Sequence, residues 1–387
     1  MYTKSISKWN YLILFLCYFF DFTIGNYLLF LLPVHTSNLG AKEGIIGIFL
    51  AIASFSLVLG SILGGVLADK IKKRKSVYII TTILALPTYL VMAITKSIPI
   101  LSAATSLLWF FGGCKLIMLV ILLNLYSEKT DRRKNFMLLS LAGVVGLLVG
   151  GIILGPIADK FGYPFLFYFM GCVNLIFLGL GFFLKEIQTE KTAEIATAQK
   201  APKIGFSSYF YLFVLASIIS WTATSFFNVG RSIIMNNLGY NSSAISIVIG
   251  LGCLASIPAV LTIFKLLDRF NHKIVLYAAY IIQMISLFIL AVSTKIWMFW
   301  LATLFASSFF TVSQATGQAL TSDLTEEMVH GKALALYNVT IWTGLIIGSA
   351  TCGFAVQILG HFHPFVFAVS LPIISCLILY KVKLYNS

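Results

Sequence analysis

Long stretches of Leu, Ile, Val, Phe and Ala follow one another along the chain, cut at short intervals by polar clusters. The runs occupy 9–33, 44–67, 77–95, 98–125, 136–158, 164–184, 208–235, 243–266, 273–293, 296–320, 332–359 and 363–381. They are apolar on every side, which is the pattern of helices immersed in an apolar solvent rather than laid on a soluble core. Crossing a bilayer takes roughly 17 to 25 such residues, so the pattern predicts twelve transmembrane helices. Lys4 and Lys8 precede the first run as they would in a signal peptide. The run stays apolar as far as Leu32 and has no small-residue cleavage site, so it is read as the first membrane helix.

The polar clusters divide the chain. The longest, "KEIQTEKTAEIATAQKAPK" (Lys185 to Lys203), separates six runs from six and reads as a linker. This predicts an N-terminal six-helix bundle at 1–184, a cytoplasmic linker at 185–207 and a C-terminal six-helix bundle at 208–387. Short matches relate the halves. "NLG" at Asn38 to Gly40 recurs at Asn237 to Gly239, and "ADKI" (Ala68 to Ile71) aligns with "LDRF" (Leu267 to Phe270), both at an offset of 199 residues. "YPFLF" (Tyr163 to Phe167) aligns with "HPFVF" (His363 to Phe367) at an offset of 200. A six-helix unit used twice suits alternating access, in which two bundles rock about a midplane site.

Composition agrees with a membrane solvent: 59% of residues are hydrophobic and 10% charged, against about a quarter charged in soluble domains. The net charge of +14 raises the question of a nucleic-acid partner. Its distribution answers it. With a cytoplasmic N-terminus, 21 of the 27 Lys and Arg fall at inner ends or loops, as in "DKIKKRK" (Asp69 to Lys75). That is the positive-inside signature, with both termini cytoplasmic and lipid as the anionic neighbour; no nucleic-acid partner is expected. All six cysteines lie in predicted spans without metal-like spacing and read as packing residues. The pair His361 and His363 reads as a solvated turn, so no metal site and no cofactor is expected.

After the second run comes "GGVLADKIKKRK" (Gly64 to Lys75). Gly65, Asp69, Lys70, Lys73 and Arg74 follow the order of the loop 2–3 signature of the major facilitator superfamily, which this chain resembles over its whole length. Lys72 stands where that signature has a second glycine, and a weaker copy lies at Asp268 and Arg269. The resemblance implies a secondary transporter fold of two pseudo-symmetric six-helix bundles, working as a monomer. It also implies a latch on the cytoplasmic gate at these residues. Physically, the glycines allow close helix approach, and Asp69 is suited to receive the N-terminal amides of a neighbouring helix. The basic cluster can pair with Glu128 or Asp131. Two further family signatures are altered. Trp109 stands at the arginine position of the fourth-helix motif, and "GLLVGGIILGP" keeps Gly146 and Gly150 of the fifth-helix antiporter motif but has Gly151 in place of its proline.

Asp21 is the acid that falls deep within a span, and a charge near the bilayer centre costs about 2.5 to 3.5 kcal/mol on insertion scales. At about 1.5 Å per residue, Asp21 lies about 18 Å up the first helix and Lys115 about 15 Å up the fourth, so the two can meet at mid-depth. Desolvation favours a neutral carboxyl and a neighbouring ammonium the charged one, which suits a proton-coupling site at Asp21 and Lys115. The D-x-x-x-G pattern of Asp21 and Gly25 resembles proton-coupled members of the superfamily. The competing reading is a structural acid bonded to Asn26 or to another helix, with Lys115 snorkelling inward. At an offset of 199, Asp21 corresponds to Ser220, which starts a polar stripe of Ser220, Thr224, Asn228 and Arg231 at helical spacing. With Asn26 and Trp109, these are the substrate-cavity candidates; Tyr18, Phe19, Phe20 and Phe22 beside Asp21 read either as apolar lining or, as is commoner for aromatics in such a chain, as rings that face lipid or neighbouring helices.

The expectation is therefore an ion-coupled carrier of a small molecule, with export of an amphipathic compound ahead of uptake of a nutrient or metabolite. A lipid-moving or sensor protein on the same fold is the alternative from another class. Enzymatic activity is not expected, since no Gly-rich loop followed by Lys-Ser or Lys-Thr is present for ATP.

Overall fold

The computed structural model describes residues 8–71, 73–127, 131–186, 206–267, 269–326, 329–360 and 362–383. Among them the secondary structure is helical: α1 (Lys8–Asn38), α2 (Glu43–Ile71), α3 (Arg74–Ile94), α4 (Ile98–Tyr126), α5 (Arg132–Phe183), α6 (Ser208–Asn237), α7 (Ser242–Leu267), α8 (His272–Ala291), α9 (Ile296–Asp323), α10 (His330–Leu359), α11 (His363–Ala368) and α12 (Ser370–Tyr380). Among the described residues ten stretches are long and apolar enough to cross a membrane, and α7 contributes a shorter apolar helix, Ser242–Leu254. Large apolar side chains such as Ile80, Leu90 and Phe183 point outward, as a lipid solvent permits.

One departure from the expected spans is α5. The polar gap around Asp159 and Lys160 predicted a loop between 136–158 and 164–184. Instead, helix continues for 52 residues and is broken at Gly162, with φ 83°. Pro164 follows, and the backbone there would be strained in any residue but glycine. The C-terminal span is likewise in two pieces, α11 and α12, meeting at Val369.

The repeats explain themselves at this level. Gly40 and Gly239, the last residues of the two "NLG" copies, have φ 87° and 82°. Each ends a helix with the same pair of bonds: Gly40 N to Ser37 O at 2.8 Å with Ala41 N to Thr36 O at 3.0 Å, and Gly239 N to Asn236 O at 3.0 Å with Tyr240 N to Met235 O at 2.9 Å. This is the left-handed glycine cap that satisfies the last carbonyls of a helix.

The chain divides into two compact units, Met1–His35 with Ile52–Thr197 and Thr36–Ala51 with Ala198–Ser387. In the first, α3 packs on α4 and α5, over a core that includes Leu14, Cys17, Val77, Met118 and Leu122. Glycines 143, 146 and 150 of α5 face α1: a Cβ on Gly146 would stand 2.3 Å from Thr23 Oγ1, and one on Gly150 2.6 Å from Tyr27. Tyr27 donates to the Leu147 carbonyl at 2.5 Å across this contact. In the second unit, α6 packs on α10 and α12 over Phe213, Trp221, Tyr280, Phe309 and Tyr337. Gly344 and Gly348 of α10 press on Trp221, Thr222 and Ser225, and Ser225 donates to the Leu345 carbonyl at 2.9 Å. The close packing expected of the fifth-helix glycines is thus present and has a counterpart in the second half.

Candidate functional site

α1 carries Asp21 into the first unit where α3, α4 and α5 converge. Lys115 of α4 reaches it: Lys115 Nζ stands 2.5 Å from Asp21 Oδ1, with the two side chains 4% and 5% exposed. Lys115 also donates to Asn174 Oδ1 of α5 at 3.2 Å, and Asn174 Nδ2 donates to the Thr82 carbonyl of α3 at 3.1 Å. Four elements therefore meet through one polar chain inside an apolar unit. The other carboxylate oxygen, Asp21 Oδ2, is buried, and the Tyr78 hydroxyl and Cys17 lie beside the carboxylate. Charges taken out of water are tolerated when paired and further hydrogen-bonded, and Lys115 meets both conditions while Asp21 meets them on one oxygen.

The depth count thus placed Asp21 and Lys115 correctly as neighbours, and Lys115 does not snorkel. Asn26 is not a partner of Asp21; its Nδ2 donates to the Phe22 carbonyl one turn back, at 2.8 Å. Around Asp21 the aromatic rings pack on one another: Tyr18 stacks on Phe22 with centroids 5.5 Å apart, and Phe20 lies 4.3 Å from Phe177. Trp109 is buried, and its Nε1 makes no hydrogen bond among the described residues.

In the second unit, Ser220 and Thr224 are engaged by a residue the sequence did not single out. Ser220 Oγ donates to Gln283 Oε1 of α8 at 2.7 Å, while Gln283 Nε2 donates to the Ser220 carbonyl at 2.8 Å and to Thr224 Oγ1 at 2.9 Å. Asn228 is half-buried. Arg231 is buried: it donates to Thr303 Oγ1 of α9 at 3.0 Å and stands 5.1 Å above the Phe227 ring.

For the loop motif, Gly65 is half-buried, Lys70, Lys73 and Arg269 are exposed and Arg74 is buried. The Asp69 side chain, Asp268, Glu128 and His361 lie outside the described residues. The acid that receives the first amides of α3 is Glu186, just after α5. Arg74 N and Lys75 N donate to its two oxygens, each at 2.8 Å. Lys75 Nζ returns to the Phe182 carbonyl at 2.5 Å, and in the second unit Lys273 Nζ does the same for Val382 at 2.5 Å. Cations at the carbonyl ends of helices complement the helix dipole.

Residues 14–227 and 213–385 each match the Major Facilitator Superfamily. The chain belongs to the Major Facilitator Superfamily. With ten apolar helices long enough to cross a membrane among the described residues, it is a multi-pass membrane protein of that family. Among relatives, the Multidrug resistance protein MdtL of Shewanella sp. (strain ANA-3) is 24% identical over 247 residues, 62% of this chain and 62% of that protein. MdtL of Shewanella oneidensis shows the same identity over the same share. The match therefore spans less than two thirds of either relative. Among solved structures, the nucleoside transporter NupG superposes with a TM-score of 0.82 at 15% identity, covering 97% of this chain and all of that one (100%). The peptide transporter POT in complex with sulfate superposes at 0.77 and 13% identity, covering 96% and 94%. At these identities the likeness is one of superfamily fold.

Proposed function

We propose that this transporter is a proton-coupled exporter of small amphipathic compounds, with Asp21 as the group that takes up and releases the proton. The observation that carries the reading is the buried Lys115–Asp21 pair, 2.5 Å apart. A carboxylate exchanges its proton while a paired lysine keeps its charge, so protonation turns a neutral pair into a net cation. A buried group of this kind responds to which side of the membrane it meets, and that is what alternating access requires. Ligand coupling then follows from differential affinity for the two states.

In this reading the bodies that rock are residues 1–184 and 208–387, joined by the linker 185–207. A single chain is the working unit, in the cell membrane, with both termini cytoplasmic. Gly65, Asp69, Lys70, Lys73 and Arg74 latch the cytoplasmic gate, with Asp268 and Arg269 as the weaker copy. Asn26, Trp109, Asn228 and Arg231 are the substrate-cavity candidates; Ser220 and Thr224 hold their helix to α8. Export is supported by the relatives named multidrug resistance proteins and by the aromatic rings beside Asp21. Uptake of a nutrient or metabolite is the second reading, favoured by Gly151 at the motif's proline position.

The test is transport in liposomes that contain a pH-sensitive dye, screened with lipophilic cations, antibiotics, sugars and organic acids. Ligand-dependent proton flux opposite to ligand movement is expected in the wild type, with at least a tenfold loss in Asp21→Asn. Ligand and proton moving in the same direction would establish uptake. A ligand that moves without protons, and equally well in the variant, would make Asp21 structural.

A further inference from the structure

Lys115 has two acceptors on two elements, and they differ in kind. Asp21 Oδ1 is a charged acceptor at 2.5 Å and Asn174 Oδ1 a neutral one at 3.2 Å. The orientation of the Asn174 amide is fixed by its neighbours. An ammonium only donates and a backbone carbonyl only accepts, so Oδ1 must face Lys115 and Nδ2 must face Thr82 O, 3.1 Å away. Turning the amide over would set donor against donor on one side and acceptor against acceptor on the other. The side chain is 1% exposed, so no bulk water replaces either bond.

We propose that Asn174 is a positioning residue that sets how readily Asp21 takes up its proton, by holding Lys115 when Asp21 is neutral. The proposal rests on the reading that Asp21 carries the transported proton. A proton arriving from water binds Asp21, Lys115 keeps its own, and the buried pair goes from net zero to net positive. The ammonium then depends on dipoles. Asn174 Oδ1 already points at Nζ, and Thr82 prevents it from turning away, so the ammonium keeps an oriented acceptor at no cost of rearrangement. Without that acceptor, protonating Asp21 would strand a charge among apolar side chains, a state that proteins avoid strongly. A carboxylate at position 174 would act in the opposite sense. It would hold Lys115 after Asp21 is neutralised and would repel the ionised form of Asp21.

Among the described residues, the other titratable groups that interact with Asp21 are Cys17 on α1, Tyr78 and Tyr89 on α3 and Lys115 on α4. None of these is a second acid of carboxylate strength, so the charge placed at 174 is the variable.

The measurement is the infrared band of protonated carboxyl groups against pH, on purified full-length protein. Each spectrum is taken as the difference from the same protein carrying Asp21→Asn, which isolates Asp21. Asn174→Leu is expected to move the midpoint to lower pH, and Asn174→Asp to higher pH, each by about one pH unit, the scale of a nearby charge or lost partner. Midpoints that stay at the wild-type value in both variants, or that move in the same direction, would overturn the proposal. Should Asn174→Leu not purify as a folded protein, the sign of the Asn174→Asp shift decides alone. A wild type with no band that depends on Asp21 would instead defeat the proton-carrying role of Asp21, a failure distinguishable from that of Asn174.

Discussion

Asp21 and Ser220 occupy equivalent places in the repeat, 199 residues apart, and the two halves build different chemistry on them. In the first unit the position holds an acid, joined to a lysine of α4 and through it to an asparagine of α5. In the second it holds a hydroxyl, clipped by Gln283 of α8 through bonds at 2.7 and 2.8 Å. The surrounding scaffold is shared. Glycine contacts at Gly146 and Gly348, carbonyl bonds to Leu147 and Leu345 and the glycine caps at Gly40 and Gly239 recur at matching places in the two copies of the sequence repeat. What differs is the kind of group: an amide and a hydroxyl do not take up a proton from water, while a carboxylate can. On the proposed reading, proton chemistry belongs to the first unit and a static helix clip to the second.

Breaking each cluster gives the largest contrast. Lys115→Met leaves a buried carboxylate without its counter-charge and is expected to cost about 3 kcal/mol, read as a drop in unfolding temperature in detergent. Adding Asp21→Asn to it should recover most of that loss. Gln283→Leu should cost about 1 kcal/mol, and a loss as large as that of Lys115→Met would erase the distinction. Overpacking is expected to act on both halves alike. Gly146→Val and Gly348→Val should each destabilise by roughly 1 to 3 kcal/mol, because the added carbons meet Thr23 in one and the Thr222 carbonyl in the other. The smallest effect is expected at the caps: Gly40→Ala and Gly239→Ala should each cost about 1 kcal/mol for placing a Cβ at positive φ, with nothing nearby to clash.

The sequence was most legible where its signal is collective. Apolar runs announce membrane helices because twenty neighbouring residues share one preference, and the "NLG" repeat is readable because one backbone geometry demands glycine. Asp21 and Lys115 were legible through cost, since a charge in an apolar run demands a partner, and their depths matched. Asn174, Gln283 and Glu186 were not. A single amide in an apolar run states neither its direction nor its neighbour, and Glu186 sits at the edge of a charged linker where any acid looks solvated. Asn174 did carry a weak signal as a lone amide in "CVNLIF" (Cys172 to Phe177). The break at Gly162 was hidden for another reason: Asp159 and Lys160 read as a loop, although they extend a helix that ends only where φ turns positive.

The most direct measurement compares ligand-driven proton flux in liposomes for the wild type, Asp21→Asn and Gln283→Leu, at matched protein density. Flux is expected to fall at least tenfold in Asp21→Asn and to stay within about twofold of wild type in Gln283→Leu. Flux that survives Asp21→Asn, or that falls equally in both variants, would contradict the assignment of proton chemistry to the first unit.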